Sequence, residues 1–589
     1  MRLSPRIPHN LTEPPMNLND AQHLQPAPET RTDAAWLDAH WMPYTGNRNF
    51  KANPRMVVSA QGAYYTMADG RRILDGLSGL WCCGLGHGRP EITEAVSRQI
   101  AKLDYSPAFQ YGHPLSFELA NKIKELTPAG LDYVFFTGSG SESADTSLKM
   151  ARAYWRTKGQ ASKTRLIGRE KGYHGVNFGG ISVGGIVANR KAFGQAIEAD
   201  HLPHTQLASN AFSRGMPDKG AELADELLKL IALHDASNIA AVIVEPFSGS
   251  AGVVIPPVGY LQRLREICTA NNILLIFDEV ITGFGRCGCL HRCRGLRRDT
   301  RHPERAAKQI TNGTQPLGAV VATKEIYDTF MAQGGPDYML EFAHGYTYSA
   351  HPVACAAGIA ALDVLVKEDM INRVKSLAPY FEQAVHSLKG SKHVTDIRNY
   401  GLAAGFTIDA MPGEPARRPY EIAMKCLEKG FYVRYGGDTI QLAPPFIIEK
   451  SEIDSLINAL GEALNAEQPD SNLLSTLLST MYQDPFLPAA GTATHPHHRP
   501  PDRRQTRRRR QPLPGRVQPR HRPRREARAA GRRRPRSSRR LPRPGRLPRL
   551  ARHAAAQARP RDGQTQAAAG RKRRPDLRPA DRRTRQGGR

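Results

Sequence analysis

Ile273 to Phe277 form an unbroken apolar run, and Asp278 and Glu279 follow it directly. Such a run, with no polar alternation, marks a strand buried on both faces, as in a mostly parallel sheet covered by helices on either side. The two acids then stand at the strand's carboxyl end, the edge where open α/β sheets place their ligands. The pattern recurs upstream. DYVFFTGSGSESADTSLKMARAYW reads as strand, glycine turn and helix, with Ala144, Leu148, Ala151 and Trp155 at helical spacing. RLIGREKGYHG and AAVIVEPFSGSAGV supply two more strands with their loops. Strands alternating with helices predict βαβ units and the α/β class.

Composition enters through charge. The net charge of +28 would suggest nucleic acid if it were spread evenly, but residues 501–589 hold 33 Lys+Arg and 5 Asp+Glu, and the preceding residues balance. That tail has 32 Arg against one Lys and no Ile, Met, Phe, Tyr, Trp, Cys or Asn. It cannot bury a core and is expected to be disordered, and any such polycation binds nucleic acid non-specifically. The eight cysteines mostly sit singly in apolar surroundings, which suits thiols in a reducing compartment. No apolar run has the length of a membrane span and no secretory h-region is present, so no membrane partner and a cytoplasmic location are expected.

Candidate chemistry gathers at strand ends. Thr137-Gly-Ser-Gly-Ser141 ends a strand and opens a helix. Helix N–H groups and dipole there favour an anion such as phosphate, with the Ser139 and Ser141 hydroxyls as further donors, although a plain tight turn has the same look. Tyr173-His174 follows the next strand, where an aromatic ring can stack on a flat cofactor or merely pack. Glu245 ends a third strand, as a crevice carboxylate or a local backbone cap. Asp278 is half-buried by position and needs a partner, either a structural cation or a protonated pyridine nitrogen. Lys308 lies between an Ala pair and the turn Asn312-Gly313. A buried lysine with a lowered pKa forms Schiff bases, whereas most lysines are solvated charges. Arg434 follows the apolar FYV, so it is poorly solvated and suited to a carboxylate.

Together these residues are recognisable. FFTGSGSESADTSLKMARAYW, GYHG, VEP, LLIFDEVITGFGR, AKQITNG and HGYTYSAHPVACAAG resemble the class III, fold-type I, pyridoxal-phosphate-dependent aminotransferases, over about residues 35–467. HWMPYTGNRNF, LSGLWCCG and VRYGGDTIQLAPPF resemble their ω-amino acid–pyruvate branch. The resemblance implies a large domain with a mostly parallel seven-stranded sheet and helices on both faces, plus a small α+β domain. Its boundaries would be a disordered arm at 1–30, the N-terminal part of the small domain at 31–75, the cofactor-binding domain at 76–345, connecting helices at 346–392, the rest of the small domain at 393–467, and a linker with the basic tail at 468–589. It implies transamination of a β-alanine-like ω-amino acid with pyruvate, giving a semialdehyde and L-alanine; another class III specificity, 4-aminobutyrate or amine–pyruvate, is the alternative. It also assigns roles. Lys308 is the Schiff-base lysine and proton shuttle, and Asp278 holds the pyridine nitrogen. Val280 and Tyr173 flank the ring, with His174 and Glu245 beside it, and Ser139, Gly140 and Ser141 hold the phosphate. Thr347 reaches the phosphate of a neighbouring subunit, so a homodimer or dimer of dimers is expected. Trp81 lines the substrate pocket and Arg434 takes the carboxylate.

One segment departs from the family. Residues 287–306, CGCLHRCRGLRRDTRHPERA, contain six arginines, no aromatic residue and no apolar strand to deliver Lys308. A pair of compensating frameshifts is the favoured explanation, with a catalytically impaired enzyme as its consequence, and read-through past a lost stop explains the tail in the same way. A zinc site from Cys287, Cys289, His291 and Cys293 lacks the usual structural spacing, and no metal is expected. A basic surface insertion would not account for the missing strand.

Overall fold

The computed structural model describes residues 32–291, 304–333 and 335–466, with only the backbone of 304–306. The expected N-terminal arm, the Arg-rich tail and most of the anomalous segment lie outside the described residues. Among the described residues fifteen strands form three sheets. The first has order β1-β2-β3-β13, from Val57–Gln61, Tyr64–Met67, Arg72–Asp75 and, parallel to the third, Phe431–Tyr432. The central sheet has order β4-β10-β9-β8-β7-β5-β6, from Leu131–Thr137, Gly318–Thr323, Glu304–Ala307, Leu274–Asp278, Ile239–Val244, Arg165–Arg169 and Ala199–Leu202. The third has order β11-β12-β15-β14, from Val394–Asn399, Ala404–Ile408, Thr439–Leu442 and Arg434–Gly436.

The apolar run becomes β8 at the heart of the central sheet, and its alternate residues enter two cores. Leu274 and Ile276 join Ala241 and Ile243 against Leu148, Ala151 and Trp155 of helix Gly140–Thr157. Leu275 and Phe277 join Val242 and Val244 against Tyr260, Leu264 and Ile267 of helix Tyr260–Ala270. Helices therefore cover both faces. Burying each of these large side chains contributes about 1.5–3 kcal/mol.

Two expectations need correction, on β4 and on the strand before Lys308. β4 lies at the sheet edge, paired to β10 alone, and its middle residues are half-buried rather than fully enclosed. The helical stretch 352–392 is two helices, Pro352–Lys367 and Met370–His386, because Asp369 takes a left-handed φ of 50° that stops the first. A strand does precede Lys308: β9 pairs in parallel with β8 (Asp278 opposite Arg305) and antiparallel with β10 (Gly318 opposite Ala307). Backbone groups make those ladders, so the strand forms between two partners without an apolar sequence. Among the described residues no helix is long and apolar enough to cross a membrane.

Candidate active site

The carboxyl ends of β4, β5, β7, β8 and β9 share one edge of the central sheet. A cavity of about 1340 Å³ opens there, closed on its other sides by Met42–Arg55 and by the third sheet. Lys308, Asp278, Ser139, Gly140, Ser141, Tyr173, His174, Glu245, Val280 and Arg434 all line it.

Asp278, at the tip of β8, is buried; its Oδ2 lies 2.8 Å from His174 Nδ1 and its Oδ1 accepts from Val280 N at 3.2 Å. Glu245 follows β7, and its Oε1 accepts from Tyr173 N at 3.0 Å, which sets the start of the tyrosine loop. Burial, and next the charge of Asp278, push the Glu245 carboxyl up to about 7. Burial likewise raises the Tyr173 phenol to about 12, so that ring is neutral.

Lys308 directly follows β9, at a left-handed φ of 53° that a lysine rarely adopts. Burial pushes its ammonium down to about 8, against the opposing charges of Asp278, Cys82 and Glu245, and Arg434 lowers it further. The side chain keeps part of its surface open to the cavity, and water there moderates the burial penalty. The turn is pinned from its far side: Asn312 Oδ1 accepts from Leu85 N at 2.9 Å, Asn312 Nδ2 donates to Gly86 O at 2.8 Å, and Gln309 Oε1 accepts from Gly84 N at 3.0 Å.

The turn after β4 forms an anion cradle. Ser139 caps helix Gly140–Thr157, its Oγ accepting from Glu142 N at 3.2 Å. Ser141 Oγ accepts from Val176 N at 3.1 Å. Both hydroxyls keep a proton to donate, and the first N–H groups of an α-helix have no intrahelical acceptor. A Cβ on Gly140 would stand 3.2 Å from Val280 Cγ1, and one on Gly175, at φ +95°, would stand 2.5 Å from Ser141 Oγ. Only glycine keeps this cradle open. An amine of lowered basicity, an acid at the strand tip, an aromatic and an aliphatic side chain and a helix N-terminus on one cavity fit a planar aldehyde phosphate.

Two residues do not line this chain's cavity, Trp81, which was expected there, and Thr347, which was expected to serve a second subunit. Trp81 is not on the wall: the left-handed backbone at Ser78 (φ 50°) and Trp81 (φ 67°) turns its indole into a closed core with Leu77, Phe247 and Ile281, beneath the cavity. Thr347 is exposed outside its own chain's cavity. Arg434, on β14, lines the cavity, and its guanidinium has no hydrogen bond or ion pair among the described residues. Cys287, Cys289 and His291 belong to no group of three or more possible metal ligands among the described residues, and Cys293 lies outside them. Sequence reasoning missed the wall residues Tyr44, Arg55, Tyr65 and Tyr420. Only Asn47 gave a local signal: it ties the Met42–Thr45 strap by accepting from Met42 N and donating to Met42 O and Thr45 O.

The Aminotransferase class-III family model matches residues 45–464. A beta-alanine–pyruvate aminotransferase of Pseudomonas aeruginosa is 60% identical over 447 residues, 75% of this chain and 99% of that one. An omega-amino acid–pyruvate aminotransferase of Pseudomonas putida is 60% identical over 433 residues, 73% of this chain and 96% of that one. Among solved structures, a thermostable (S)-enantioselective omega-transaminase from Thermomicrobium roseum superposes with a TM-score of 0.68 at 33% identity, over 73% of this chain and 97% of that one.

Proposed function

Since the chain belongs to the class III aminotransferases, whose cofactor is pyridoxal 5'-phosphate, we propose that it transfers the amine of a β-alanine-like ω-amino acid to pyruvate, giving a semialdehyde and L-alanine. The observation that carries this reading is the pairing of Arg434, a guanidinium with no described partner, with Lys308, an amine near neutrality, in one cavity. An amine-reactive group with a carboxylate receptor beside it suits substrates that carry both functions. The named activities of the two Pseudomonas relatives support the same choice.

In this reading Ser139, Gly140 and Ser141 hold the phosphate, Asp278 the ring nitrogen, and Val280 and Tyr173 the two ring faces. The bound cofactor supplies an aldehyde that carries the amine and a ring that withdraws electrons. His174 orients Asp278, and Glu245 fixes the Tyr173 loop. Lys308 Nζ, neutral above about pH 8, takes the proton from the amine-bearing carbon of the donor. Arg434 fixes the carboxylate and so aims that carbon at Lys308. Thr347, exposed beside Tyr348, would serve the cavity of a second subunit, which makes the working form a homodimer. The same reading divides the body into the cofactor-binding and small domains described from the sequence.

The composition of 287–306 favours one rival, an impaired homologue produced by compensating frameshifts. The test uses the full-length protein with added cofactor, β-alanine and pyruvate, and follows L-alanine. Steady alanine formation is expected. Alanine only from 4-aminobutyrate or simple amines would move the specificity to the alternatives, and none from any donor would leave the impaired homologue. The nucleotide sequence across codons 286–307 decides the frameshift: one alternative frame must restore an aromatic-bearing helix and an apolar strand.

A further inference from the structure

The cavity holds a cation that the reading above leaves unused. Arg55 lies between helix Asn47–Ala52 and β1, and lines the cavity on its solvent side with Tyr420 and Tyr435. Its guanidinium stands 5.2 Å over the Phe50 ring. Its hydrogen bonds among the described residues are two long ones from Nη1, 3.4 Å to Asn49 Oδ1 and 3.3 Å to Asn53 O. No described carboxylate pairs with it. Asn49 Oδ1 also accepts from Tyr420 OH at 3.1 Å, so a neutral amide holds the guanidinium in place without neutralising it. The cavity acids Glu245 and Asp278 are buried at its inner end.

The two arginines stand at different places on the cavity wall. Arg434 and Tyr435 are neighbours on a strand, so their side chains diverge. The charge of Arg434 bears on Lys308 and Tyr173, whereas that of Arg55 bears on Tyr435, which is 40% exposed. Arg434 therefore serves the reacting end and Arg55 the mouth.

We propose that Arg55 forms a second carboxylate subsite at the cavity mouth, which takes the carboxylate of ω-amino acids too long to close on Arg434. The proposal rests on the transaminase reading above. A long donor keeps its amine at Lys308 and extends its carboxylate past Arg434 to Arg55, while β-alanine ends at Arg434.

The test compares kcat/KM for β-alanine, 6-aminohexanoate and 1-aminohexane, which keeps the long chain without the charge, with pyruvate as acceptor. Wild type, Arg55→Gln and Arg55→Lys are measured. Arg55→Gln is expected to lower kcat/KM for 6-aminohexanoate, relative to each of the other donors, roughly two- to fivefold, the worth of a partly solvated ion pair, and mostly through KM. Arg55→Lys recovers most of the loss, because the charge returns. Hexanoate has the carboxylate and no amine to transfer, so its calorimetric binding to the cofactor-loaded Arg434→Gln protein, where the inner guanidinium cannot take it, gives a turnover-free arm, weakened by the same factor when Arg55→Gln is added. Parallel losses for all three donors, or unchanged hexanoate binding, would overturn the subsite. Absence of turnover in wild type would instead sink the transaminase reading, and the hexanoate arm would still decide the role of Arg55.

Discussion

Asp278→Asn keeps the shape of the side chain and removes one buried negative charge. Its surroundings fix the consequences. His174 Nδ1, 2.8 Å from Oδ2, loses a charged partner. Glu245, raised to about 7 by burial and then by Asp278, falls back toward the ordinary carboxylate range. Lys308, already lowered to about 8, loses the largest charge that favours its ammonium and moves lower still. Cofactor capture by the unloaded protein needs Lys308 neutral, so its rate rises with pH through that pKa, and in the variant this acid limb shifts to lower pH. The maximal rate falls for a separate reason. A protonated ring nitrogen is left without its buried anion, and breaking one side of such a pair costs about 3–5 kcal/mol, or roughly two to four orders of magnitude in rate. Two assays read this: the rate of cofactor capture by the unloaded protein from about pH 6 to 10, followed by visible absorbance, and kcat for β-alanine with pyruvate on the loaded protein. A loss under about tenfold, or a limb that moves to higher pH, would refute the assignment of Asp278 and the charge coupling together.

Four other substitutions have defined outcomes. Lys308→Ala removes the amine that binds the cofactor covalently, so the visible band of the lysine–cofactor adduct disappears and turnover falls by at least roughly 10²–10⁴-fold. Arg434→Gln raises KM for β-alanine and pyruvate roughly ten- to a hundredfold with a smaller effect on kcat, the cost of a charged hydrogen-bonded contact, read from steady-state kinetics. Gly175→Ala forces a Cβ to 2.5 Å from Ser141 Oγ at a φ of +95°, and equilibrium dialysis is expected to show cofactor retention weakened by at least about tenfold. Asn312→Ala removes both bonds that pin the lysine turn to Leu85 and Gly86, at about 1–3 kcal/mol of stability by denaturant titration, together with slower cofactor capture.

What was legible in the sequence tracked the physics of each signal. The run before Asp278 could be read because burial on both faces leaves no polar alternation, and β8 sends its residues into two cores. The serine-glycine turn could be read because a strand end meeting a helix start has few solutions. Arg55, Tyr65 and Tyr420 could not, because the wall they share joins segments hundreds of residues apart. The burial of Trp81 away from the cavity depends on left-handed backbone at two non-glycine residues, which composition does not announce. The break at Asp369 has the same cause.

The strand before Lys308 shows the limit most sharply. Side-chain pattern argued against any strand in residues 287–306, yet β9 forms at the end of that segment. Two facts reconcile this. β8 and β10 stand far enough apart to leave one strand's place, and both offer unpaired backbone groups to it. Leaving those groups unpaired in a sheet interior would cost more than an unfavourable side-chain composition. The lysine turn beyond is then fixed from its carboxyl side, by β10 and by the Gln309 and Asn312 contacts with residues 84–86. Those anchors hold Lys308 at a positive φ that costs of order 1–3 kcal/mol. The position of Lys308 therefore depends more on the anchored residues on its carboxyl side than on the anomalous residues before it. That asymmetry explains how the lysine turn keeps its place although residues 287–306 carry no apolar strand pattern.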